Sequence, residues 1–233
     1  MQASAALLKS QIESALGAPF LTWREQRHGE LVPTGVPELD AVTGGLPRGA
    51  ITDLYGSASS GRTSLLLSTL AEATVRQEVC AVIDSSDAFD PASAAASGAD
   101  LARILWIRCS GRPDRALKAA DMLVQAGGFG LVALDFAGVA ASVTRRIPLA
   151  SWHRFRKAVE NTPAVLLVVE EEPTVKSCAS LVLEMRRERA AWTGMAGCSQ
   201  LLRGLRVEAV PRKPVRPQSA AFEAAAFPAK ASA

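Results

Sequence analysis

The sequence lacks any apolar run of the roughly 18 residues that a membrane-crossing helix needs. The longest candidates, around Leu131–Ala141 and Ala164–Val169, are interrupted or too short, so no spanning helix and no membrane association are expected. The first residues carry Lys9, Glu13, Arg24 and Glu25 and form no continuous apolar core, so no secretory signal is expected. The four cysteines (Cys80, Cys109, Cys178, Cys198) form no CxxC pair, which argues against a zinc ribbon or a redox couple. They read as reduced, buried thiols of a cytoplasmic protein. The two histidines, His28 and His153, are single and remote in sequence, and neither reads as catalytic. Charge is scarce in the net: +3 at pH 7 neither demands nor excludes a nucleic-acid partner.

What is present is a globular composition, 48% hydrophobic and 21% charged over 233 residues, enough for one or two domains. Ala3–Leu16 reads as a short amphipathic helix, with Ala5, Leu8, Ile12 and Ala15 on one stripe and Gly17 and Pro19 ending it. Gly29–Pro47 is rich in turn residues. Short apolar runs then alternate with helical stretches. Ile51–Tyr55, Val79–Ile83, Leu131–Leu134 and Ala164–Val169 read as strands, and Thr63–Val75, Pro113–Ala126 and Ser151–Val159 as helices. That alternation predicts an α/β fold, a mostly parallel sheet with helices on both faces. Leu181–Met185 and Leu205–Val210 are further strand candidates toward one edge. After Val210 the chain is rich in Pro, Ala, Lys and Arg, so Pro211–Ala233 is expected to be a mostly disordered basic tail. The expected division is therefore residues 1–30 as an N-terminal helix and linker, 31–210 as the core, and 211–233 as the tail.

The segment Gly56-Ser57-Ala58-Ser59-Ser60-Gly61-Arg62-Thr63-Ser64 has the spacing GxxxxG, then a cation, then a hydroxyl, between a strand and a helix. Small residues let backbone N–H groups turn inward around phosphate oxygens, and the helix start adds a positive dipole end. Thr63 is placed to hold a magnesium ion. The cation is Arg62 rather than lysine, and the two are not interchangeable where geometry is tight. Three readings fit: an intact nucleotide site, a site of weak binding or poor turnover, and a relic loop that only closes the turn. Asp135, at the tip of the run Leu131–Leu134, is placed either to organise magnesium with Thr63 or to cap the next turn.

These segments together resemble the RecA recombinase family. The resemblance is carried by Thr34–Asp40 with Gly44–Gly49, by Ile51–Ser64, by Val82–Pro91 and by Gly98 through Asp135, and it covers roughly Gly35 to Val210. It implies a RecA-like P-loop NTPase core, with ATP and Mg2+ as cofactors. The departures are as informative. The family's water-activating glutamate corresponds to Ser86, with Asp87 adjacent but expected to point elsewhere. The aromatic that packs on adenine corresponds to Ser93, while Asp90 is kept. The γ-phosphate-sensing Asn-Gln pair is replaced within Val168–Pro173, where Glu170, Glu171 and Glu172 stand. The long DNA-binding loop that follows is reduced to Glu172–Cys178.

This pattern is similar to the ImuA-type, RecA-like accessory proteins, through Ser177–Arg187 and Leu201–Glu208 as well. That resemblance implies a non-recombinase role in damage-induced (SOS-type) DNA repair and translesion synthesis. The implied partners are an ImuB-like Y-family polymerase homologue, RecA and an error-prone replicative-type polymerase. Inefficient ATP turnover is the expectation, with no catalytic residue assigned. The alternatives are an active DNA-dependent ATPase or recombinase paralogue, for which Gly56–Ser64 and Asp135 speak, and a SulA-like cell-division inhibitor. Arg186, Arg187, Arg189, Arg203, Arg206, Arg212, Lys213 and Arg216 cluster late and suit either non-specific DNA binding or a solubilising or protein-docking surface, to which Trp192 and Leu201–Leu202 add docking character. Trp152–Lys157 reads as a helix with one solvated face.

Overall fold

Aliphatic runs too short for helices become neighbouring strands, and the amphipathic stretches between them cover both faces of the resulting sheet. The computed structural model describes residues 30–193 and 200–225, together with Ser10, Gln11 and Ser14. Those three are helical; the rest of the helix expected over Ala3–Leu16 lies outside the described residues.

In chain order, β1 (Leu31–Val32) and β2 (Leu46–Pro47) pair antiparallel around α1 (Pro37–Thr43). There follow β3 (Ala50–Gly56), α2 (Arg62–Val75), β4 (Cys80–Asp84), α3 (Pro91–Ala96) and β5 (Ile104–Arg108). Next come α4 (Pro113–Ala126), β6 (Leu131–Asp135), α5 (Ala141–Thr144), α6 (Leu149–Val159) and β7 (Val165–Glu170). The chain closes with β8 (Leu181–Thr193), β9 (Leu201–Lys213) and β10 (Ala220–Ala225).

The main sheet has eight strands in the order β10-β9-β8-β3-β7-β6-β4-β5. From β8 to β5 every neighbouring pair is parallel; β8–β9 and β9–β10 are antiparallel. The fold is thus the expected α/β architecture. β4, β6 and β7 are buried along their whole length, because helices cover both faces. On one face Leu65, Leu66 and Leu70 of α2 pack with Leu54, Val82, Ala133 and Leu167. On the other, Leu123 and Val124 of α4 and Trp152, Phe155 and Val159 of α6 pack with Ile51, Val132 and Leu166. The spacing of Trp152, Phe155 and Val159 puts them on one helical stripe, while His153, Arg154, Arg156 and Lys157 remain exposed.

One expectation is corrected. Pro211–Ala233 is not a disordered tail throughout: Pro211–Lys213 completes β9, and Ala220–Ala225 pairs with β9 from Ala220↔Ala209 to Ala225↔Gly204. Ala220, Phe222 and Ala224 alternate inward, and Ala220 and Phe222 join the core cluster beneath α1. An alanine-rich strand carries almost no intrinsic β-preference, so its period-2 pattern is hidden behind its composition. Residues 226–233 lie outside the described residues. Cys80, Cys109 and Cys178 are buried and free, as expected; Cys198 lies outside the described residues. Among the described residues no helix is long and apolar enough to cross a membrane.

Candidate phosphate-binding site

β3 carries the chain to the C-terminal edge of the parallel strands, where Gly56–Ser64 turns into α2. Both glycines are required by their surroundings. A Cβ at Gly56 would run into the Met185 carbonyl oxygen of β8. Gly61 caps α2 at φ +93°, and a Cβ there would lie 2.8 Å from Cγ1 of Val207 on β9. The hairpin β8–β9 therefore packs directly on the loop. Ser57, Ala58 and Ser59 are exposed, Ser60, Gly61 and Arg62 are buried, and Thr63 and Ser64 open the first turn of the helix.

Two buried donors in this loop have no partner. The Ser60 hydroxyl is buried without a hydrogen bond, and so is Nη1 of Arg62, whose residue is only 6% exposed. Burial lowers the pKa of the Arg62 guanidinium, while the fields of Asp135, Glu171 and Glu170 act to raise it. Unsatisfied buried donors beside the N-terminus of a 14-residue helix are what an anion satisfies. The loop residues expected from the sequence are thus brought together, and they fit a phosphate.

Asp135, at the end of β6, takes the capping role of the two left open for it. Its Oδ1 accepts a hydrogen bond from Ala137 N at 2.7 Å, which caps the following turn, and it sits in the field of Arg62. Burial pushes its pKa up to about 6; the Ala137 bond and Arg62 oppose that, and Asp84, its register neighbour on β4, adds to it.

The segment after β4 is mostly engaged, although the buried Ser85 hydroxyl has no partner. Asp84 accepts from the N–H groups of Ser86, Ala88 and Phe89 and from Nε1 of Trp106. The Ser86 hydroxyl donates to the Ala137 carbonyl at 2.5 Å. Asp87, at φ +59°, turns to the end of β5, where Arg108 Nη2 and Ser110 N donate to it. It points away from the loop, as expected.

The acidic run at the end of β7 is dispersed. Glu170 turns back to accept from Thr174 N and Oγ1 at 2.5 and 2.7 Å. Burial raises the pKa of Glu170 and, further, that of neighbouring Asp53 on β3. Glu172 pairs with Arg145 on the surface. Glu171 and Glu170 both remain in the field of Arg62.

A cleft of about 850 Å3 opens beside the loop, walled by Thr63 and Ser64 of α2, Asp90 and Ser93 at α3, and Phe222 and Ala224 of β10. Asp90 caps α3, accepting from Ala92 N and from Ser93 N and Oγ, and these bonds hold its carboxyl below the usual range, those to Ser93 most. The β10 wall, the Val207 contact and the Asp53–Glu170 pair were not anticipated. The last had a signal in sequence, an acidic residue inside an otherwise apolar strand.

The late basic residues are partly neutralised: Arg186 and Arg212 pair with Glu184, and Arg206 pairs with Glu188 and Glu223.

A glycine-bracketed loop joining a central strand of a mostly parallel sheet to a long helix, with two unpartnered buried donors beside it, is the arrangement of a phosphate-loop α/β protein. Comparison with known proteins narrows the class. The RecA N-terminal domain family matches residues 6–148, more than half of the chain, and the chain belongs to that family. It is 41% identical over 108 residues to Protein RecA of Brucella anthropi, covering 46% of this chain and 30% of that protein. It is 42% identical over 108 residues to Protein RecA of Mesorhizobium japonicum, with 46% and 29% covered. It is 38% identical over 132 residues to Protein RecA of Brucella canis, with 54% and 36% covered. The chain therefore spans about a third of the length of these curated relatives.

Proposed function

We propose that this protein is a RecA-fold accessory factor of damage-induced translesion DNA synthesis that acts through protein contacts, with ATP held weakly at Gly56–Ser64 and turned over poorly. The observation that carries this reading is Ser86: a hydroxyl already donated to Ala137 stands where the resemblance puts the water-activating carboxylate. Losing a general base costs about 10²–10⁴-fold in rate. The nearby carboxylates of Asp84 and Asp87 are committed to structural hydrogen bonds and do not substitute for it. The far end of the β8–β9 hairpin supports a docking role, since Trp192 is 57% and Leu201 66% exposed. An ImuB-like Y-family polymerase homologue, RecA and an error-prone replicative polymerase are the proposed partners. DNA contact is an accessory property of the hairpin arginines.

The test is ATP turnover with and without single-stranded DNA, in the native chain and in Arg62→Ala. Turnover within about twofold of the variant is expected, since no group is left to activate water. DNA-stimulated hydrolysis that collapses in the variant would overturn the reading in favour of an active ATPase or recombinase paralogue, the alternative that the intact loop geometry and the RecA relatives support. Co-purification with the polymerase homologue and with RecA tests the partners; failure to capture either ends that part of the proposal.

A further inference from the structure

We infer that the phosphate loop takes its ligand, a nucleoside di- or triphosphate or pyrophosphate, without a divalent cation, because the Arg62 guanidinium supplies the positive charge that magnesium would bring. The inference rests on the reading of Gly56–Ser64 as a phosphate site and adds to it the identity of the cation.

Arg62 is the first residue of α2, and its side chain is buried rather than spread on the surface. It lies in the field of three carboxylates near two strand ends, Asp135 of β6, Glu170 of β7 and Glu171 just after it. None of them closes an ion pair with it, and Nη1 is left without an acceptor. A guanidinium is a planar fork whose donors leave on two edges. The unpartnered Nη1 is the donor left for a phosphate oxygen that enters the loop. The fork would then bridge the acidic strand ends to the anion, as a metal ion does in a site of this type. A lysine ammonium is a compact point charge and leaves room for such an ion.

The residues that would hold magnesium fit it poorly. Oδ1 of Asp135 is used by Ala137 N, and an ion placed between Asp135 and Thr63 would share that carboxylate's field with a fixed, buried cation. Thr63 is exposed in the first turn of α2.

The experiment is isothermal calorimetry of the full chain with ADP, ATP and inorganic pyrophosphate, each in excess magnesium and in excess EDTA. The expected result is an affinity that differs by less than about twofold between the two buffers, since charge-assisted hydrogen bonds carry the anion. Affinity at least about tenfold tighter in magnesium overturns the inference while leaving the phosphate reading intact. No binding of any of the three ligands in either buffer overturns both. Arg62→Lys supplies an independent arm that keeps the charge: it is expected to bind at least about fivefold more weakly in EDTA than in magnesium. An Arg62→Lys chain indifferent to magnesium would show that arginine is not the reason, and would sink the assignment.

Discussion

Asp53, in the middle of β3, and Glu170, at the end of β7, are both fully buried, and their strands are hydrogen-bonded neighbours. Neither oxygen of Asp53 has a well-formed hydrogen bond, only the Val175 backbone acting to favour its charge, whereas Glu170 takes two bonds from Thr174. Two buried carboxylates this close cannot both be charged without large cost, so the pair keeps a proton, and Asp53 is the better place for it. Burial raises both pKa values, with the charge of Glu170 adding to the rise at Asp53. The folded state therefore binds more protons than the unfolded one above the ordinary carboxylate value of about 4. The contribution of the pair is fully present below that value and is lost as pH rises through the raised values. Asp135 acts in the same direction up to about 6. Asp53→Asn keeps the shape and offers Glu170 an amide donor that never titrates. Relative to the native chain, the variant is expected to gain stability as pH is raised above the ordinary carboxylate value of about 4 and through the raised value of the pair. Urea unfolding of both chains at matched pH checks this, because their difference cancels the groups they share. A difference independent of pH would remove the shared proton.

At the scale of elements, β10 turns a loop beside a helix into a walled cleft. Phe222 is 7% exposed and joins the cluster that contains Val207 and Leu65, so the strand is tied to the core on which the phosphate loop sits. Phe222→Ala is expected to cost about 3 kcal/mol, the lower end for a buried phenylalanine because an edge strand can settle into part of the space. Equilibrium denaturation measures it; a loss under about 1 kcal/mol would mean that β10 packs only marginally. This strand also marks where the sequence stops being readable. Ile51–Tyr55, Leu131–Leu134 and Ala164–Val169 were legible because burial on both faces demands continuous aliphatic runs, and Pro113–Ala126 because its apolar stripe repeats at helical spacing. The phosphate loop was legible because its whole pattern is local. β10 and β5 were not. Ala220–Ala225 has one large apolar residue, and its register is set by β9 rather than by its own preference. Ile104–Arg108 is only half-buried at the opposite edge and shows neither pattern cleanly. The outer half of the hairpin, from Arg186 to Thr193, is charged, and pairing with β9 makes it a strand. The Asp53–Glu170 contact joins residues far apart in the chain, and only the strand order brings them together.

Over the whole molecule, the distribution of charge decides how this chain can meet DNA. The late cluster of cations that suggests a DNA surface in the sequence is partly engaged once folded: Arg186, Arg206 and Arg212 pair with Glu184, Glu188 and Glu223, and Lys213 and Arg216 donate to backbone carbonyls. Arg187, Arg189 and Arg203 are exposed on the two arms of the hairpin without an ion pair among the described residues. Three free cations displace about three counterions. If the hairpin holds single-stranded DNA, the logarithm of affinity should therefore fall against the logarithm of salt with a slope of magnitude about 2. The combined variant Arg187→Ala, Arg189→Ala, Arg203→Ala should bring that slope close to zero. Its fold should be unaffected, because all three side chains face solvent. Fluorescence anisotropy with a labelled oligonucleotide across a salt series reads both. A slope that survives the triple substitution would place the DNA elsewhere on the chain. A slope of magnitude about 6 or more would require many more phosphate contacts than these arginines supply, and would favour a recombinase-like grip over the accessory reading.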